Sequence, residues 1–261
     1  MKRSVFAYPY IIWMLGFIVA PMLFIVYYAF VGTDGGVTLS FMGEALSWDN
    51  LNILGYSILV ALLTTVICLL LGFPVAFILS RMRKSVAAML STFFIVPMWM
   101  NFLLRTYAWR VLLDGFAPGM LNTLWAVMVG MVYNFLPFMI LPIYTVLQKM
   151  DESYLEAARD LGATPRQSFL RVVLPLSVPG IVSGATMVFV PSITAFAISQ
   201  LLGGKMTGML YGDLIYNKFM LYNLPELGSA LSLVLLVFVL LSMGVMRWAD
   251  RERGETGNKL W

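Results

Sequence analysis

Six stretches of predominantly apolar residues dictate what this chain can fold into. They run about Tyr8–Val31, Ile53–Leu79, Val86–Leu104, Thr123–Leu147, Leu176–Leu202 and Leu227–Met246. A helix needs about 20 such residues to cross a hydrocarbon core about 30 Å thick. Inside lipid every backbone polar group must be satisfied within the span, which leaves the helix as the natural solution. The expectation is an all-α integral membrane protein with six transmembrane helices, built as a single transmembrane domain over residues 1–261. Composition agrees: 61% of residues are hydrophobic and 11% charged, about half the charge of a usual soluble domain. Lys2 and Arg3 precede the first stretch as they would in a signal peptide. That stretch is too long, and no small-residue cleavage site interrupts Phe24–Phe30, so it reads as a retained helix.

Basic residues orient the spans. With the N-terminus inside, Lys2, Arg3, Arg81, Arg83, Lys84, Lys149, Arg159, Arg166, Arg171, Arg247, Arg251, Arg253 and Lys259 fall on the inner side. These are thirteen of the 17 Lys and Arg residues, leaving Arg105, Arg110, Lys205 and Lys218 outside. The positive-inside rule then places both termini in the cytoplasm. The net charge of +4 is read as inner clusters facing anionic lipid, not as a nucleic-acid surface. Tyr8, Tyr10, Tyr27, Tyr28, Tyr107 and Trp109 stand near span ends, as an interfacial aromatic belt would.

Several chemistries lack their residues. There is no histidine, hence no Ser–His pair and no His-based metal site. The single Cys68 lies in an apolar segment and is read as a packing residue. No G-x-x-x-x-G-K-[ST] phosphate loop is present; Gly203-Gly204-Lys205 continues with Met206. Asp114, Asp213 and Glu226 are placed at the outer rim, so no intramembrane carboxylate is evident. An ion-coupled secondary transporter, the rival class, would need such a carboxylate or a paired charge.

One polar passage, about 151–175, separates the fourth and fifth spans. Asp151 or Ser153 can cap a helix there, and Ser153 with Glu156 has capping-box spacing. Tyr154, Leu155, Ala158 and Leu161 share one face, while Glu152, Glu156, Arg159 and Asp160 lie elsewhere. Gly162 suits a left-handed helix stop. Thr164, Pro165 and Gln167 then supply the cap, first position and capping box of a second helix. A lipid-surface helix would carry a basic polar face. The acidic face here favours docking to a soluble protein.

Glu156-Ala157-Ala158, three residues, Gly162, nine residues, Val172, one residue, then Leu174-Pro175 resembles the EAA loop of ABC importer permeases. Val172 stands where that family more often has Ile. The wider run, with Pro179-Gly180-Ile181, Leu201-Leu202-Gly203-Gly204, and Pro97, Trp99, Asn101, Arg105 and Tyr107, is similar to the polyamine (spermidine/putrescine) branch, to the first of the two permeases such systems usually encode. The resemblance covers nearly the whole chain. It implies a MetI-like fold in a bacterial inner membrane, and a non-catalytic subunit. It further implies a second permease subunit, forming a heterodimer, a dimeric ATP-binding subunit that holds ATP and Mg, and an extracytoplasmic substrate-binding protein. Glu156, Ala157, Ala158, Gly162, Leu174 and Pro175 would couple to the ATPase. A permease for another small solute shares these features.

Broken helices at membrane depth are where transporters tend to build their pathways. Pro74, Pro97, Pro137, Pro142 and Pro191 interrupt spans. The fifth span combines Pro191 with Ser192, Thr194 and Gln200. Trp99 and Tyr133 offer aromatic faces to a cation, with Asn101 and Asn134 as polar partners. Gly180 and Gly184 have small-xxx-small spacing and are read as packing. Arg105 is expected to snorkel at the outer interface, or to touch the binding protein.

Overall fold

The computed structural model describes residues 7–32, 35–203 and 208–258; Lys2, Arg3, Asp34, Gly204, Lys205, Met206 and Lys259 lie outside them. The described residues are helical apart from short connections and one isolated bridge between Val31 and Val37. Five helices are long and apolar enough to cross a membrane: α1 (Pro9–Phe30), α3 (Trp48–Arg81), α6 (Leu124–Gln148), α8 (Pro165–Thr194) and α11, whose apolar part is Pro225–Val245. A bent pair, α4 (Lys84–Trp99) and α5 (Phe102–Phe116), makes up to a sixth span. Shorter helices are α2 (Ser40–Ala45), α7 (Ser153–Asp160), α9 (Phe196–Ile198) and α10 (Tyr211–Met220).

Helices α3, α6 and α8 pack against one another, and α11 lies against α1, α2 and α10. Glycine sets the closest approach. A Cβ on Gly184 would meet the Met139 carbonyl oxygen at 3.1 Å, and one on Gly180 would meet the Pro142 carbonyl oxygen at 3.0 Å. The Gly180–Gly184 pair therefore packs α8 onto α6, as small-xxx-small spacing permits. Buried hydroxyls return to their own helix: Thr64 donates to the Val60 carbonyl (2.9 Å) and Thr65 to that of Ala61 (2.7 Å). This is how a Ser or Thr side chain avoids an unmet hydrogen bond in an apolar interior.

Three boundaries differ from expectation. The straight span about 86–104 is instead two helices bent by 94°. Met100 and Asn101 are extended, and the Asn101 side chain accepts from the Leu103 N–H at 2.9 Å. Asn is a favoured helix cap, so the helix restarts there. The fifth span does not begin at Leu176. It is one helix from Pro165 to Thr194, about 45 Å long at the usual rise per residue, so half of the expected 151–175 loop belongs to it. That helix stops at Ala195 (φ −72, ψ 85) before the expected end at Leu202.

Widened π turns occupy Leu15–Val19 and Phe169–Val173. Each contains the residue four before a proline, Pro21 or Pro175. A proline ring clashes with the carbonyl at that position, and a wider turn relieves the clash without ending the helix.

Candidate coupling loop and membrane cavities

The loop helix α7 is short, and its ends carry the determinants. Its start is capped by Asp151, whose Oδ1 accepts from the Ser153 N–H at 3.0 Å. That backbone donor holds the Asp151 carboxyl below the usual carboxylate range. The expected Ser153–Glu156 capping box is not formed, because the residue before α7, Glu152, already has helical backbone angles and offers no side-chain cap. The C-terminus is a Schellman arrangement: Gly162 N–H donates to the Arg159 carbonyl (2.8 Å) and Ala163 N–H to that of Ala158 (2.9 Å). Gly162 itself has φ +79. One residue on, the Thr164–Gln167 capping box is present, with Pro165 at the first position of α8.

Leu155 is buried and anchors α7 in a core with Leu79, Ala87, Leu147 and Val173. Phe169 stands edge-on to both Phe73 and Phe77 of α3, and the Arg81 guanidinium lies 5.3 Å from the Phe77 ring centre. The rest of the predicted apolar face is not buried. Tyr154 is 47% exposed and Leu161 88% exposed. Glu156 and Ala157 are also exposed, Ala158 is half-buried, and Leu174 and Pro175 lie on α8 just past the π turn. The loop thus has an inner face fixed to α3 and α8 and an outer face of Tyr154, Glu156, Ala157 and Leu161 open to a partner.

The membrane residues singled out by sequence separate into groups. Asn134, Pro191 and Thr194 come together around a cavity of about 300 Å³, which Arg105 and Phe196 also line. Asn134 is buried and donates to the Gly130 carbonyl at 2.9 Å; its Oδ1 has no partner among the described residues. Ser192 is buried and donates to the Val188 carbonyl at 2.6 Å, so its hydroxyl is spent on its own helix. Thr194 is exposed and donates to the Pro191 carbonyl at 3.2 Å. Tyr133 packs edge-on against Trp109 at 5.3 Å between ring centres. Trp99 is 84% exposed at the α4–α5 bend, beside Asn101. Gln200 lines a different cavity, of about 660 Å³.

One placement corrects the sequence expectation, and two carboxylates gain a burial that it did not foresee. Arg105 does not snorkel: it is buried and lines the Asn134–Thr194 cavity, and its Nε has no partner among the described residues. Asp213 and Glu226, read from sequence as outer-rim residues, are both buried within the protein. Asp213 sits in the first turn of α10, a helix the sequence reading did not place. The spacing of Tyr211, Leu214 and Ile215 was the available signal for it.

Residues 72–254, containing the loop and both cavities, match the family described as "Binding-protein-dependent transport system inner membrane component". The chain belongs to that family. Its permease fold is accordingly that of a multi-pass inner membrane protein of ABC importers. The chain is 34% identical over 262 residues to the spermidine/putrescine transport system permease protein PotB of Haemophilus influenzae, covering 92% of this chain and 91% of that one. It is also 34% identical over 265 residues to PotB of Escherichia coli K12, covering 92% and 94%. Among solved structures, a bacterial ABC transporter involved in import of the acidic polysaccharide alginate matches with TM-score 0.72 at 17% identity, covering 94% of this chain and 96% of that one. The methionine transporter MetNI, in an inward-facing form, matches with TM-score 0.59 at 19% identity over 78% and 94%.

Proposed function

We propose that this chain is the polyamine-conducting permease of an ATP-driven importer, with spermidine and putrescine as substrates. The observation that carries the reading is the 34% identity to PotB proteins over more than nine-tenths of both chains. In this reading the chain is not itself an enzyme and holds no cofactor. ATP and Mg belong to a cytoplasmic ATPase dimer that docks on Tyr154, Glu156, Ala157 and Leu161. A second permease completes the pore as a heterodimer, and an extracytoplasmic binding protein delivers substrate. The alginate importer, whose complex includes a substrate-bound periplasmic protein, supports that assembly by likeness of fold. In this reading both termini are cytoplasmic, which the inner excess of basic residues supports.

Mechanically, closure of the ATPase dimer would displace α7. Leu155 and Phe169 would carry that displacement to α3, and Gly162 would let α7 and α8 turn relative to each other. Because α8 runs unbroken to Thr194, the motion would arrive directly at the Asn134–Pro191–Thr194 cavity. Purification of the tagged chain from native membranes tests the assembly. It should retain an ATPase and a second permease, and the loaded binding protein should stimulate ATP hydrolysis. A chain that purifies alone, or whose partners include no ATPase, refutes it.

A further inference from the structure

The cavity lined by Gln200 contains a carboxylate that the proposed mechanism has not used. Asp213 is 5% exposed. One carboxylate oxygen accepts from the Leu210 N–H at 3.2 Å, and Ser199 also donates to the group. The other, Oδ1, has no hydrogen-bond partner among the described residues. A buried acid with a free oxygen is costly unless something completes it. The cavity beside it holds about 660 Å³, and its wall includes Ser199, Gln200, Tyr216 and Asn217. Burial pushes the Asp213 carboxyl up to about 6 against the pull of its two donors, which a cation arriving at Oδ1 would reverse.

Position adds to the chemistry. The Tyr211 N–H donates at 2.7 Å to Ser57, near the start of α3. The far end of α3, at Arg81, shares a cavity with Leu155 of the coupling loop. The Asp213 cavity therefore lies at the opposite end of the bundle from the loop. Tyr216 stacks on Phe196, with ring centres 5.0 Å apart and planes 12° from parallel. Phe196 also lines the cavity that contains Arg105. The stacked pair thus stands between an acidic chamber and a chamber lined by the buried Arg105.

We infer that the Asp213 cavity is a receiving subsite for an alkylammonium group, with Asp213 as counter-ion, Gln200 and Asn217 as further acceptors, and Tyr216 as an aromatic wall. Carboxylate, amide oxygens and a ring face are the groups that replace the hydration of an ammonium. Arg105 next door repels the same charge, so passage beyond Phe196 requires the rearrangement driven from the loop. The inference rests on the polyamine reading.

The test uses the full complex with its ATPase and binding protein in proteoliposomes, measuring spermidine uptake against concentration. Asp213→Asn keeps an acceptor for the Leu210 N–H, so the start of α10 is preserved. It should raise KM at least tenfold while Vmax falls far less, and Asp213→Glu should recover part of the loss. Tyr216→Leu should raise KM by a smaller factor. A wild-type KM in assembled Asp213→Asn overturns the subsite while leaving polyamine import intact. Should that variant not assemble, unchanged KM in both Tyr216→Leu and Asn217→Ala overturns it equally. Failure of the wild-type complex to take up spermidine or putrescine overturns the polyamine reading, and the subsite with it.

Discussion

Phe169, at the start of the π turn, meets Phe73 of α3 edge-on, with ring centres 5.7 Å apart. It meets Phe77 in the same way at 5.6 Å. One ring therefore joins the base of the loop to the longest span of the bundle. Edge-to-face pairs each add about 0.5–1.5 kcal/mol beyond area burial. Phe169→Ala is expected to cost about 2–3 kcal/mol, since the ring is only half-buried. Its functional signature should be uncoupling: ATP hydrolysis persists in the assembled complex while uptake falls. Equal loss of hydrolysis and uptake would place Phe169 in general stability instead.

Gly162 carries a sharper expectation. Beyond its chain neighbours, no atom of the described residues lies within 4 Å of a Cβ added there, so space does not forbid a side chain. Its φ of +79 does. A β-branched residue in that region is strained by about 1–2 kcal/mol or more. Gly162→Val should insert in the membrane yet retain little ATPase on purification, and uptake should be lost. Normal uptake by this variant would remove the loop's assigned role.

The helical class, the presence of five long apolar spans and the helix break at Gly162 were legible in sequence, because long apolar runs and capping residues are local signals; the ends of the fifth span were not. Gly162 and the Thr164–Gln167 box stand where spacing placed them. What escaped was set by tertiary context. The bend at Asn101 lies inside an apolar run, and hydropathy does not register a change of direction. The burial of Arg105 and Asp213 comes from the packing of α5 and α10 against other helices, which neighbourhood in sequence does not register. Ser192 and Thr194 both return their hydroxyls to their own helix, but only Thr194 lines the cavity, while Ser192 is buried.

Orientation is open to chemical labelling. Cys68 is fully buried, and a Cys68→Ala background removes it as a target. Cysteine at Glu44, exposed in α2, should react with an impermeant thiol reagent added outside intact cells. Cysteine at Gln167, exposed at the start of α8, should react only after the membrane is opened. The reverse pattern would invert the topology.

Thr194 tests the pathway. It is exposed and lines the cavity beside Asn134 and Arg105. Thr194→Trp should block uptake by at least tenfold without reducing the yield of assembled complex. Reduced yield would identify the position as packing, and normal uptake by an assembled variant would exclude this face from the route.

The central claim is that this chain conducts polyamines under the power of a separate ATPase. The most direct measurement is accumulation of labelled spermidine in proteoliposomes containing the permease pair, ATPase and binding protein. The account predicts accumulation only with ATP present, competed by putrescine and not by methionine or alginate oligosaccharide. Accumulation without ATP, or none under any condition that supports ATP hydrolysis, would contradict it.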